Sequence, residues 1–337
     1  MRILLTGIGG QLGGELQQIL APLGEVTGVD RQSLDLAQPT QIRQVIGEVK
    51  PDLIVNAAAY TAVDKAETET ELANAINGNA PTIMAQEAQK LGAAIIHIST
   101  DYVFDGQKNT PYKEDDTPNP INAYGRSKLL GEEGVKSNCD RYIILRTAWV
   151  YGSYGKGNFV KTMLRLGGER EELRVVVDQV GTPTWTGDIA QTIFQLIELT
   201  SPPTPLLTGE GSSTPPFPLD EGEGGEGSSP TPPFPTREGG LGGLGDCIYH
   251  FTNSGVISWY DFAVSIFEEA EELGFPLKVK RVIPITTSEY PTPAARPTYS
   301  VLSNQKISTV LGSHPPYWRK QLRKMIEQLY SELVMGN

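Results

Sequence analysis

The chain has 337 residues and a formal net charge of −12, with 39% hydrophobic residues: enough for a core, yet few enough to suggest one unfolded segment. That length predicts two domains, or one large domain with an appendage. The acidic balance excludes a nucleic-acid binder, which needs a basic face, and any anionic ligand has to be held by local groups against the overall field. Cys139 and Cys247 have no metal-type spacing and cannot make a disulfide framework, which predicts a reducing compartment. The apolar run at the start is short and ends in glycines, so it reads as a strand and not a signal peptide. No stretch approaches the roughly 18 apolar residues of a membrane span. The expectation is a soluble, cytoplasmic protein with neither a membrane nor a nucleic-acid partner.

Apolar runs at 3–5, 25–29, 53–56, 94–99 and 142–146 predict buried strands, and helical patterns at 11–20, 40–49, 71–91 and 124–137 lie between them. Strands alternating with helices predict an α/β fold, a doubly wound parallel sheet of the Rossmann kind, with ligands beyond the carboxyl ends of the strands. Residues 201–245 depart from this pattern. They are rich in Pro, Gly, Ser, Thr and Glu, and the run at 211–218 nearly recurs at 227–235. Such a segment buries too little apolar surface to offset its ordering entropy and is read as a disordered insertion. It is either a proline-rich ligand for an SH3-like partner or, the preferred reading, a tolerated surface loop. A strand at 248–252 and a helix at 259–273 follow. The predicted division assigns 1–150 to cofactor binding, with 186–200 and 246–252 returning to that domain. A smaller substrate-binding domain takes 151–185 and 253–337.

Gly7, Gly10 and Gly13 are spaced three apart after the first strand, with Gln11 and Leu12 opening a helix. Such a turn lets backbone N–H groups approach a pyrophosphate at a helix N-terminus. Asp30 closes the second strand, where a carboxylate grips the ribose hydroxyls of NAD. Arg31 follows and suits a 2′-phosphate, so NADPH and NADH both stay open. Asp35 and Leu36 are placed near the adenine, although Asp35 also reads as a helix cap for the stretch from Thr40. Tyr124 and Lys128, four apart on a helical pattern, share one face. A neighbouring ammonium favours the phenolate and is expected to lower the tyrosine's pKa. Thr100 ends the strand before them, at the carboxyl edge of the sheet, and the long polar loop from 104 to 122 is of a length that is usually functional. His97 and His250 sit in apolar strands and read as satisfied core residues.

Taken together, these motifs resemble the extended short-chain dehydrogenase/reductases. The resemblance is closer still to the dTDP-4-dehydrorhamnose reductase family, through NAAAYTAVDKAE at 56–67, STDYVFDG at 99–106, YGRSK at 124–128, RTAWVYG at 146–152, NFVKTM at 158–163, DQVGTPT at 178–184 and YPTPAARP at 290–297. It spans the chain apart from the insertion. The resemblance implies reduction of dTDP-4-dehydro-β-L-rhamnose to dTDP-L-rhamnose with NADPH or NADH, in a monomer or homodimer. It implies that Tyr124 is the proton donor, that Lys128 binds the nicotinamide ribose and tunes Tyr124, and that Thr100 bonds the substrate carbonyl. Ala57, Ala58 and Ala59 are placed with it at the cofactor, and Val63, Asp101, Trp149 and Arg296 at the substrate. Glu15 matches a position that holds Mg²⁺ at a dimer interface in some members, but Gly187 stands at another, so no metal is expected. The alternatives are a nucleotide-sugar epimerase or dehydratase of the same superfamily, and a non-catalytic regulatory subunit.

Overall fold

The computed structural model describes residues 1–200 and 247–335. The stretch 201–245, expected to be disordered, lies outside the described residues. Six strands form one all-parallel sheet: β1 (Arg2–Thr6), β2 (Glu25–Val29), β3 (Leu53–Asn56), β4 (Ala94–Thr100), β5 (Tyr142–Thr147) and β6 (Cys247–His250). Their spatial order is β6-β5-β4-β3-β1-β2. The order reverses between β1 and β3, the switch point at which a doubly wound sheet opens a crevice at its carboxyl edge.

Alternation along each strand builds the layers. Ile3, Leu5, Val55, Ile96 and Leu145 face one side, against Leu12 and Leu16 of α1 (Gln11–Ile19). Leu4, Ile54, Ile95 and Ile144 face the other, against α2 (Pro39–Val49), α3 (Ala80–Leu91) and Val135 of α4 (Ala123–Asn138). Strands apolar on both faces are what a sheet sandwiched between helices requires. Two later helices, α5 (Phe159–Glu169) and α6 (Thr186–Thr200), follow β5, and α6 covers the α1 side through Ile189, Ile193 and Leu196. A separate apolar cluster joins α5 to α7 (Trp259–Glu272) and α8 (Trp318–Met335), with Phe262, Ile266, Leu322 and Met325 fully buried. Beside it the short strands Glu172–Val176 and Arg281–Ile285 pair in parallel. Among the described residues no helix is long and apolar enough to cross a membrane.

The expected single helix over 71–91 differs in its first half. A short α-helix, Thr70–Asn74, passes into a π-helical segment, Ala75–Asn79, before α3 begins. Within that segment Asn77 turns inward: its Oδ1 accepts from the Tyr60 N–H at 2.8 Å, and its Nδ2 lies 3.0 Å from both the Tyr60 carbonyl and Ser127 Oγ. Widened turns of this kind recur at functional sites, and this one ties the chain beyond β3 to α4.

Below the same helix lies a buried ion pair. Arg146 on β5 donates from Nε and one terminal nitrogen to the Glu132 carboxylate at 2.8 and 2.6 Å, each side chain 2% exposed. Removing one partner leaves the other charge uncompensated in a dry interior. Glu132→Ala is therefore expected to lower the unfolding free energy by about 3–5 kcal/mol, read from urea titrations. A loss below about 1 kcal/mol, the range of exposed pairs, contradicts it.

Candidate active site

The first turn of α4 is fastened from three directions. Asn122 caps it, accepting from the Gly125 N–H at 2.7 Å, and its Nδ2 donates to the Ala295 carbonyl at 2.7 Å. Glu67 accepts from the Ala123 N–H at 2.7 Å. Gly125 lies so close to the chain that a Cβ there would stand 2.1 Å from the Tyr102 carbonyl oxygen. This fit holds Tyr124 and Lys128 against the end of β4.

Lys128 is buried and Tyr124 half-buried. The Tyr124 ring packs edge-on against the Tyr102 ring at 5.6 Å, with the Thr100 hydroxyl near enough to act on its phenol. Burial pushes its pKa up to about 12; the nearby Asp101 carboxylate adds to the rise and Thr100 opposes it. The expected lowering by the lysine is absent because Lys128 loses its charge at a lower pH than the one at which the phenol ionises. Its ammonium donates to the Ile98 carbonyl at 2.6 Å, and burial pulls its pKa down to about 8 against the attraction of Glu132. Asp101 accepts from Thr100 at 2.9 Å and is lifted by burial to about 6.

These groups line one cavity of about 1390 Å³ that runs along the carboxyl edge from the glycine turn to Trp149. It exceeds the roughly 300–1,000 Å³ of a single small-molecule site and has room for a dinucleotide together with a second ligand. Gly7, Gly10, Gln11, Leu12, Asp30, Arg31, Asp35, Leu36 and Ala57, Ala58 and Ala59 lie on its wall, as do Thr100, Asp101, Tyr124, Lys128, Val63 and Trp149. Gly13 is not on the wall; it packs behind the turn, where a Cβ would fall 2.0 Å from the Gly7 carbonyl oxygen. Asp30 is already tied to its own loop, with Oδ1 accepting from the N–H groups of Gln32 and Ser33 at 2.9 and 3.0 Å. The helix cap offered as an alternative for Asp35 is not formed, since Gln38 holds the N-cap position of α2. Arg296 is also absent from the wall. Its guanidinium forks onto Asp64, at 3.0 and 2.8 Å, so its charge is engaged before any diphosphate arrives.

Trp259 is a residue of the wall that no sequence motif announces. Trp259 stacks on Trp149 with ring centres 3.6 Å apart and planes 8° off parallel. Trp149 itself takes a left-handed backbone, φ +47°, a strained state for a bulky residue. The hydroxyls of Ser99 and Thr147 are buried on this wall with no hydrogen-bond partner. Orphaned polar atoms, a glycine turn at a helix start and a buried cation suit a nicotinamide dinucleotide. Glu15 accepts from Thr186 at 3.3 Å, and among the described residues no group of His, Cys, Asp and Glu is set to hold a metal.

A parallel sheet that offers a glycine turn on one side of its switch point and a Tyr-x-x-x-Lys helix on the other belongs to the extended short-chain dehydrogenase/reductases. Within that class the chain belongs to the RmlD substrate binding domain family, whose profile it matches over residues 1–206 and 244–331. A dTDP-4-dehydrorhamnose reductase from Burkholderia thailandensis is 39% identical over 334 residues, covering 98% of this chain and 100% of that protein. The crystal structure of a dTDP-4-dehydrorhamnose reductase from Clostridium acetobutylicum superposes with a TM-score of 0.79 at 39% identity, over 98% of this chain and 99% of that one. The Bacillus anthracis enzyme of the same name, solved in complex with NADP, gives 0.77 at 37% identity, over 97% and 99%.

The Gly13 contact yields a test. Gly13→Ala is expected to spread the turn and weaken NADPH binding at least tenfold, an effect of about 1.4 kcal/mol, measured by quenching of protein fluorescence. Unchanged affinity in a folded variant contradicts the role of the turn.

Proposed function

We propose that the chain reduces the 4-keto group of dTDP-4-dehydro-β-L-rhamnose, giving dTDP-L-rhamnose, with NADPH or NADH as reductant. The observation that carries this is a half-buried Tyr124 phenol, set beside Thr100 and backed by the buried Lys128, on the wall of a cavity with space beyond it for a hexose. Residues 1–150, with 186–200 and 246–252, are assigned to the cofactor, and 151–185 with 253–337 to the substrate. The latter assignment is supported by the separate apolar cluster under α5, α7 and α8.

A nicotinamide bound at the carboxyl edge supplies the hydride. Thr100 orients the substrate carbonyl by turning its hydroxyl proton from Asp101 to the carbonyl oxygen, and Tyr124 delivers a proton to that oxygen as negative charge develops on it. A phenol pushed up to about 12 stays protonated at neutral pH, and an alkoxide is a stronger base than a phenolate, so the transfer runs downhill. Lys128 holds a cofactor ribose hydroxyl and offsets the phenolate left behind. Its own pKa, about 8, is close to working conditions, so it can take up and pass on the replacement proton. Trp149, stiffened by Trp259, is the flat wall for the sugar, and Val63 and Asp101 border it; Arg296 would have to leave Asp64 and turn into the cavity to meet the diphosphate. Arg31 on the cavity wall suits the 2′-phosphate of NADPH.

The decisive assay offers purified protein dTDP-4-keto-6-deoxyhexose with NADPH or NADH and identifies the product by NMR. One cofactor oxidised per sugar supports a reductase, whereas sugar conversion without net oxidation points to an epimerase or dehydratase. Tyr124→Phe is expected to lower kcat by about 10²–10⁴-fold while NADPH affinity stays near that of the parent; comparable turnover removes the role assigned to Tyr124. The ammonium of Lys128 is present below its pKa and lost above it, so kcat should fall as pH rises through about 8. A profile flat to pH 10 contradicts this.

A further inference from the structure

Lys128 has a second buried neighbour. His97 on β4 faces it, with Nε2 3.5 Å from Nζ, and the other ring nitrogen, Nδ1, lies 3.0 Å from Asn56 Nδ2 on β3. Asn56 Oδ1 lies 2.7 Å from Thr6 Oγ1 on β1, and Thr6 Oγ1 in turn accepts from the Ala58 N–H at 3.3 Å. All four side chains are buried. The row therefore crosses three strands, from the glycine turn to the lysine.

We propose, resting on the catalytic reading of Lys128 above, that His97 is a positioning residue for the reaction: the Thr6–Asn56 relay holds it as the Nε2–H tautomer, and its N–H faces Lys128 Nζ and loosens the ammonium's proton. The polarity of the row follows from its hydrogens. Thr6 accepts from Ala58, so its own proton goes to Asn56 Oδ1. That uses the amide oxygen and leaves the amide N–H₂ facing His97, and a donor there requires a bare Nδ1. Burial, with the Lys128 charge beside it, holds the imidazole well below its usual pKa, so the ring is neutral. A neutral ring with a bare Nδ1 carries its proton on Nε2. While Lys128 is an ammonium, two donors oppose each other; once it is an amine, the same contact becomes an Nε2–H···Nζ hydrogen bond.

The other groups around the lysine pull the opposite way or are already committed. The Ile98 carbonyl accepts from Nζ, and Glu132, one turn along the helix, attracts the ammonium while paired with Arg146 of β5. Asp101, beyond β4, acts on Tyr124. His97 is thus the neighbour that favours the neutral amine. The opposite tautomer would turn a lone pair towards Nζ and hold the proton in place.

The tautomer can be read in the full chain with isotope-labelled histidine, because it contains three histidines and His97→Leu identifies the relevant signal. Long-range proton–nitrogen correlations are expected to show His97 neutral and protonated on Nε2 from pH 6 to 9. Protonation on Nδ1 overturns the proposal whatever reaction the protein catalyses. In the same chain with isotope-labelled lysine, His97→Leu is expected to raise the Lys128 titration midpoint by about one pH unit, and to move the alkaline fall of kcat upward with it. A midpoint that stays or falls overturns the proposal. If only the kcat limb fails to follow, the tautomer stands and the catalytic reading of Lys128 is what fails. Should His97→Leu not fold, the parent protein's tautomer, assigned by its contact to the Asn56 amide, still decides.

Discussion

The arrangement depends on burying an ammonium beside a half-buried phenol at the end of a β-strand. An isolated charge in that position is costly, and the surrounding chain is arranged to reduce the cost. The Ile98 carbonyl takes one N–H of Lys128, Glu132 supplies opposite charge a turn away, and Arg146 stops that carboxylate from becoming a second burden. Holding the pair dry also fixes its chemistry. Desolvation raises the phenol and lowers the amine, which leaves a protonated acid next to a base that titrates within the working range.

The architecture was legible because it depends on short-range pattern. Strands apolar on both faces, glycines at threes and a Tyr-x-x-x-Lys helix are local signals, and the structure brings Gly7, Gly10, Tyr124 and Lys128 onto one cavity, with Gly13 packed behind the turn. The β4 strand extends to Thr100, one residue beyond the expected 94–99, which brings the hydroxyl to the sheet edge.

What escaped the sequence depends on contacts between distant segments. Nothing around Trp259 announces that it lies on Trp149, and nothing around Asp64 announces its pairing with Arg296. Asn77 sits in what reads as ordinary helix; its inward turn becomes apparent only when Tyr60 and Ser127 are brought beside it. The direction of the Tyr124 shift was misjudged for a related reason. Spacing supplies the cation, but only packing reveals how little solvent is left and that Asp101 faces the phenol.

The parallel sheet has one further effect. Each strand runs from an amino edge to the carboxyl edge that carries the cavity, and each connecting helix runs back. Thr200, at the end of α6, and Cys247, at the start of β6, therefore both lie on the amino edge. The stretch joining them is anchored on the face of the molecule remote from the chemistry. A reporter joined to the fold at Thr200 and Cys247 would therefore enter and leave it far from the reacting atoms.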